Sequence, residues 1–131
     1  MPSRRQEVAA AVERILSAIA PAGLEQDQLD SLAVAVAEAL SNAVVHGNRM
    51  KEAAPVRVVV TVLPGSSAVV EVTDSGPGFD ATALADPTQP SRLLLPGGRG
   101  IYLMRRLVDR VDYNRTGNRV RLTVECSRKP A

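Results

Sequence analysis

Aromatic residues are nearly absent from this chain. Phe79, Tyr102 and Tyr113 are the whole complement among 131 residues, and there is no tryptophan. A platform that stacks single-stranded bases needs successive aromatic rings, so direct binding to nucleic acid is not expected. Cysteine is scarcer still. Cys126 stands alone, which excludes an intrachain disulfide and any metal site built on cysteine pairs. No apolar run approaches the roughly 20 residues of a membrane-spanning helix. The opening Met-Pro-Ser-Arg-Arg leads into an amphipathic pattern, not the apolar stretch of a signal peptide. A cytoplasmic protein with no membrane partner is the expectation. A large excess of one charge is also lacking. The formal net charge is +2, enough only for a basic face toward an acidic protein partner.

What is present fits one globular domain over residues 1–131. Hydrophobic residues make up 45% and charged residues 23%, the ordinary balance for a chain that buries one core. Ser3-x-x-Gln6 reads as a capping box that starts a helix at Arg4. Val8, Val12, Ile15, Leu16 and Ile19 follow at helical spacing, and Pro21 ends the pattern. A second helix is predicted from about Asp27 to His46, with an apolar stripe of Leu29, Leu32, Val36, Leu40 and Ala43, stopped by Gly47. Residues 55–63 and 68–73 read as strands joined through Pro64-Gly65-Ser66-Ser67. A third helix begins near Arg99, with Ile101, Met104, Leu107, Val108 and Val111 on its apolar face. Two last strands, near 111–115 and 119–126, flank the turn Thr116-Gly117-Asn118. Hairpins of strands with helices outside any strict alternation predict an α+β fold, a two-layer sandwich. Residues 80–97 hold Pro87, Pro90, Pro96 and Gly97 and show no periodicity. A connection that long inside a small domain is usually functional or disordered.

Three patches carry chemistry. Glu38, Asn42 and His46 recur at i, i+4, i+8 and line one face of the second helix. A glutamate alone there is ordinary surface, but Ser41 and Asn42 disfavour a helix interior. Ala35, Ala39 and Ala43 nearby leave room for something to approach. The second patch is Asp74-Ser-Gly-Pro-Gly-Phe, which taken alone is a common strand-ending turn. In the third, Gly97, Gly98 and Gly100 surround Arg99 at a helix start, where free N–H groups and the positive dipole end hold phosphate oxygens. This is no Walker A loop, since Gly-Lys-Ser/Thr is missing, and no G-x-G-x-x-G follows a strand.

In this order, 38–47, 74–79 and 97–101 resemble the N, G1 and G2 boxes of the GHKL ATPase superfamily. The short chain is similar to its anti-sigma-factor serine/threonine kinases, over about Gln28 to Cys126. The resemblance implies a GHKL (Bergerat) sandwich: a mixed sheet with helices on one face. ATP and Mg²⁺ are the implied cofactors. Asn42 would ligate the metal beside the nucleotide, and Glu38 would be the catalytic base. Asp74 would accept a hydrogen bond from the adenine amine, with Gly76 and Gly78 letting the backbone pass close to base and sugar. Gly98, Arg99 and Gly100 would cradle the phosphates under an ATP lid at about 80–97. His46 reads as a family marker near the helix end, where a structural hydrogen bond is expected rather than catalysis. The implied partners are a sigma factor, an anti-anti-sigma protein that is phosphorylated on Ser or Thr, and a second copy in a homodimer. Departures are visible. Family members of this size usually open with a strand, and here the first helix leaves no room for one, so the expectation is a bare sheet edge that a partner strand covers, or a truncated start. Asn118 stands where a Thr often touches the adenine side. Pro96 stands where some kinases place a basic residue. Pro96 and the missing first strand together keep open a regulatory module that binds nucleotide and protein and transfers no phosphate. A plain structural domain with chance glycines ranks last, because three boxes in order are hard to obtain by accident.

Overall fold

The computed structural model describes residues 7–44, 56–74, 98–114 and 118–127, with the backbone alone at 98–102. Helix α1 spans Val8–Ile19, and a short 3-10 turn follows at Ala20–Ala22. Helix α2 spans Gln26–Asn42, strand β1 Arg57–Leu63 and strand β2 Ser67–Thr73. Helix α3 spans Gly98–Leu107, strand β3 Arg110–Tyr113 and strand β4 Arg119–Glu125. The expected elements are present in the expected order, but α3 ends at Leu107, so Val108 and Val111 lie beyond it and Val111 belongs to β3. Pro21 ends α1 from within the 3-10 turn, and the chain leaves through Gly23 at φ 75°, a left-handed conformation that glycine adopts without strain. The Ser3 capping box and the His46–Gly47 end of the second helix lie outside the described residues.

The sheet has the order β1-β2-β4-β3, and each pairing is antiparallel. The expected mixed sheet is thereby corrected for the described strands. β2 and β3 run in the same direction, but β4 is inserted between them, so neither meets a parallel neighbour. The register stacks apolar residues in rows on one face: Val60, Val70, Leu122 and Val111, then Val58, Val72, Val120 and Tyr113, then Val62, Ala68 and Val124. These rows pack with Ile15, Ile19, Leu32, Val36, Leu40 and Met104 of the helices into one core. Full burial of each Val or Leu contributes about 1.5–3 kcal/mol. Alternate residues face outward as a polar row, Glu71, Arg121 and Asp112. Arg121 pairs with Glu71 at 3.0 Å and Arg110 with Asp112 at 3.2 Å. Such exposed pairs contribute little to stability and make the face soluble.

Two ties set how the helices lie across the sheet. Glu25 and Gln28 form a capping box at the start of α2. The Gln28 amide also donates to the Glu125 carbonyl at 2.6 Å, while its oxygen accepts from the Ser127 N–H at 3.2 Å. That pins the α2 N-terminus to the end of β4. At the same end, the Asp109 N–H donates to the Thr123 carbonyl at 3.0 Å, and the Asp109 carboxylate accepts from the Glu125 N–H at 2.6 Å. The α3 C-terminus is therefore anchored beside the α2 N-terminus. The β1–β2 turn closes here too, with Gly65 N–H donating to the Pro21 carbonyl at 3.0 Å and Cys126 N–H to the Ser66 carbonyl at 2.6 Å. Seventeen residues of α2 rise about 25 Å, the length of a seven-residue strand, so its C-terminus reaches the opposite end of the sheet.

Removing the Gln28 amide tests this tie. Gln28→Ala loses bonds that are partly exposed, so the expected destabilisation is about 1–2 kcal/mol. Urea denaturation reads it, and an unchanged midpoint would dismiss Gln28 as the anchor.

Candidate functional site

The geometry follows from those anchors. The C-terminus of α2, the end of β2 and the end of β3 meet at the end of the sheet away from Gln28. Helix α3 opens toward the same end from Gly98. Glu38 and Asn42 are half-buried on the last turns of α2. The expectation that Ala35, Ala39 and Ala43 leave open space is corrected, because all three are buried in the core. Their small side chains let α2 lie close to its neighbours, and the polar line through Glu38 and Asn42 runs along the border of that contact.

Tyr113 ties these groups together, and it stands outside the expected site. Its ring is on the helix side of β3, in the row with Val120 and Val72. Burial holds its phenol above the ordinary tyrosine value. The Arg105 charge opposes that shift, and the carboxylates of Glu38 and Asp74 reinforce it. One phenol thus feels Glu38 from α2, Asp74 from β2 and Arg105 from α3. The sequence offers one signal for it: Tyr113 alternates with Val111 and is one of three aromatics. Nothing in the alternation alone marks it as part of a site.

Asp74, the first residue after β2, is held by Asn118. The Asp74 N–H donates to the Asn118 carbonyl at 2.9 Å, and the Asn118 amide donates back to the Asp74 carbonyl at 3.3 Å. The Asn118 side-chain oxygen accepts from the Asn114 amide at 2.7 Å. Asn114 in turn accepts from the Arg119 N–H at 3.1 Å through its own oxygen. The structure therefore brings Glu38, Asn42, Asp74 and Asn118 to one end of the domain. Gly98, Arg99 and Gly100 form the first turn of α3. Gly76, Gly78, His46 and the stretch 80–97 lie outside the described residues. Among the described residues no helix is long and apolar enough to cross a membrane.

Fold and site together define a two-layer α+β domain whose polar groups gather at one end, beneath two helices. The chain belongs to the histidine kinase-like ATPase domain family, whose pattern matches residues 1–124. It is 29% identical over 125 residues to the anti-sigma F factor of Clostridium botulinum strain Eklund 17B, across 92% of this chain and 87% of that protein. It is 28% identical over 98 residues to the serine-protein kinase RsbW of Oceanobacillus iheyensis, across 70% of this chain and 61% of that one. Among solved structures, the histidine kinase domain of the blue-light activated kinase EL346 from Erythrobacter litoralis aligns with a TM-score of 0.52 at 22% identity. That alignment takes in 91% of this chain and 60% of the other, and the likeness is one of fold.

The environment of Tyr113 gives a pH prediction. Its folded value lies above the ordinary 10.0. A raised value means a stability contribution that is complete below about pH 10 and lost as pH rises beyond it. In a Tyr102→Phe variant, where Tyr113 is the one tyrosine left, tyrosinate absorbance should emerge only above the ordinary range, together with unfolding. Titration centred at pH 10 with the fold intact would show the phenol to be solvated.

Proposed function

We propose that this chain is an ATP-binding anti-sigma factor and a serine/threonine protein kinase. In this reading it sequesters a sigma factor and phosphorylates a Ser or Thr of an anti-anti-sigma protein. The observation that carries the reading is convergence: Glu38, Asn42, Asp74 and the α3 N-terminus come from three separate sequence patches to one end of the sheet. The relatives named anti-sigma F factor and serine-protein kinase support the regulatory assignment.

Each residue has a task that its chemistry suits. Asp74 presents an acceptor to the adenine amine and disfavours a base with a carbonyl there, since two acceptors would face each other. Gly76 and Gly78 let the backbone approach base and sugar. Asn118 stands beside Asp74. Gly98, Arg99 and Gly100 offer N–H groups and a positive charge to the phosphates at a helix start. Asn42 supplies a half-buried amide oxygen, and oxygen is the ligand that Mg²⁺ takes, so the donor fits. Bound Mg²⁺ would neutralise phosphate charge during transfer. Glu38 accepts the proton of the attacking Ser or Thr hydroxyl, whose oxygen takes the γ-phosphoryl group as ADP leaves. β1 pairs on one side only among the described strands, which leaves an edge for a homodimer or another protein partner.

One observation favours a second reading. Pro96 stands just before the glycine segment, and proline supplies no charge for a terminal phosphate. A regulatory module that binds ATP and protein without transfer has this feature.

Calorimetry with ATP and GTP tests the base assignment. ATP should bind more tightly, and Asp74→Asn should lose roughly 1.5–3 kcal/mol of ATP binding, the scale of a hydrogen bond to a charged group. Equal affinity for the two nucleotides would remove Asp74 from that role. The kinase reading is tested by Glu38→Gln with anti-anti-sigma proteins as acceptors. Nucleotide affinity should stay within a few-fold, while phosphotransfer falls by roughly 10²–10⁴. A wild-type chain that binds ATP and a sigma factor but phosphorylates no acceptor belongs to the module reading.

A further inference from the structure

We infer that Asn114, a residue with no place in the site so far, is a positioning residue for base selection. It acts through Asn118 on Asp74. The inference rests on the ATP reading above and assigns the device that makes Asp74 selective.

Asn118 holds Asp74 from both sides of its backbone. The main-chain carbonyl of Asn118 takes the Asp74 N–H at 2.9 Å, and its side-chain amide reaches the Asp74 carbonyl at 3.3 Å. The two bonds restrict both dihedrals of Asp74 and so fix the direction in which its Cα–Cβ bond leaves the strand end. A base-reading carboxylate needs that fixed direction. An acceptor free to swing tolerates the wrong base, because it turns away from an opposing carbonyl.

The amide of Asn118 has two unlike ends, and only one orientation serves Asp74. With Nδ2 toward the Asp74 carbonyl, Oδ1 points to Asn114 and needs a donor. Asn114 supplies it from Nδ2 at 2.7 Å. The orientation of Asn114 is fixed in its turn. Its Oδ1 accepts the Arg119 N–H at 3.1 Å, and its own N–H donates to the Arg119 carbonyl at 3.1 Å. The order of dipoles therefore runs from the β4 backbone through Asn114 and Asn118 to Asp74. Asn114 and Asn118 are half-buried, so water competes less for these bonds than on an open surface.

The probe is Asn114→Asp. A carboxylate still accepts the Arg119 N–H, which keeps the β3–β4 connection closed. It presents no donor to Asn118. If Asn118 keeps its orientation, two acceptors face each other. If it flips, its oxygen faces the Asp74 carbonyl. The first case strains the side-chain bond from Asn118 to the Asp74 carbonyl and the second removes it, while the main-chain bond from the Asp74 N–H remains. The added negative charge also repels phosphates, but it repels those of ATP and GTP equally. The ATP-to-GTP affinity ratio cancels that effect and reads base selection alone. Calorimetry on the full chain should find this ratio reduced by roughly three- to ten-fold in Asn114→Asp, the factor one neutral hydrogen bond controls. The thermal midpoint without nucleotide should stay close to that of the wild type. Asn114→Ala, which loses both side-chain bonds, should lower the ratio as much and the midpoint more. If the wild type prefers ATP and Asn114→Asp keeps the same ratio, this inference falls and the ATP reading stands. A wild-type chain that binds neither nucleotide overturns the ATP reading and this inference together.

Discussion

The anchoring of two helices at one end of the sheet is the constraint on which the rest depends. Gln28 ties the start of α2 to the end of β4, and Asp109 ties the end of α3 to the same strand. Most of the folding free energy comes from the apolar rows and the helices packed on them. Apolar burial has no direction, however, so it specifies which faces meet more firmly than which atoms pair. The polar ties supply that pairing. With one end fixed and a helix length close to the strand length, the far end of α2 has one position. The candidate residues Glu38 and Asn42 lie at that end, and Asp74 reaches it from the end of β2. The closed end of the molecule thus decides the geometry of the open one.

Much of this was legible in the sequence. The period of α1, the Val-rich hairpin and the glycine start of α3 are local signals, and each element formed where its pattern stood. Glu38, Asn42, Asp74 and Asn118 were legible through their order along the chain. Their convergence is a property of topology. The sheet order was not legible, because whether β4 enters between β2 and β3 depends on pairing across some 50 residues. The start of α2 falls within a residue of its pattern, but the tie through Gln28 is not legible, because its third partner is about 100 residues away. The three alanines of α2 were misread as open space for a related reason. An alanine line is a contact line when another element is packed against it, and only the tertiary structure says which.

Tyr113 and Asn114 illustrate what lies beyond a motif reading. Both sit where a short strand ends, a place with no motif of its own. Tyr113 faces the helices because β3 alternates, and the register places it in the same row as Val120 and Val72. Asn114, one residue on, still pairs its N–H with the Arg119 carbonyl and turns its side-chain amide toward Asn118. One strand end therefore supplies a half-buried ring on the helix side of the sheet and an amide that bonds Asn118, the partner of Asp74.

That pairing of roles has a physical logic. A site that reads charge and hydrogen bonds must keep polar groups partly out of water, and each such group costs free energy unless it finds a partner. At the open end of this domain the partners come in sequence: Arg119 backbone to Asn114, Asn114 to Asn118, Asn118 to Asp74. Every bond in that series pairs polar groups of adjacent strand ends with one another. The same series fixes the orientation of amides that have no intrinsic preference. In the proposed reading, closing the hairpin and aiming Asp74 are one act of hydrogen bonding, so a change that spares the hairpin and disturbs the aim must alter the donor and keep the acceptor.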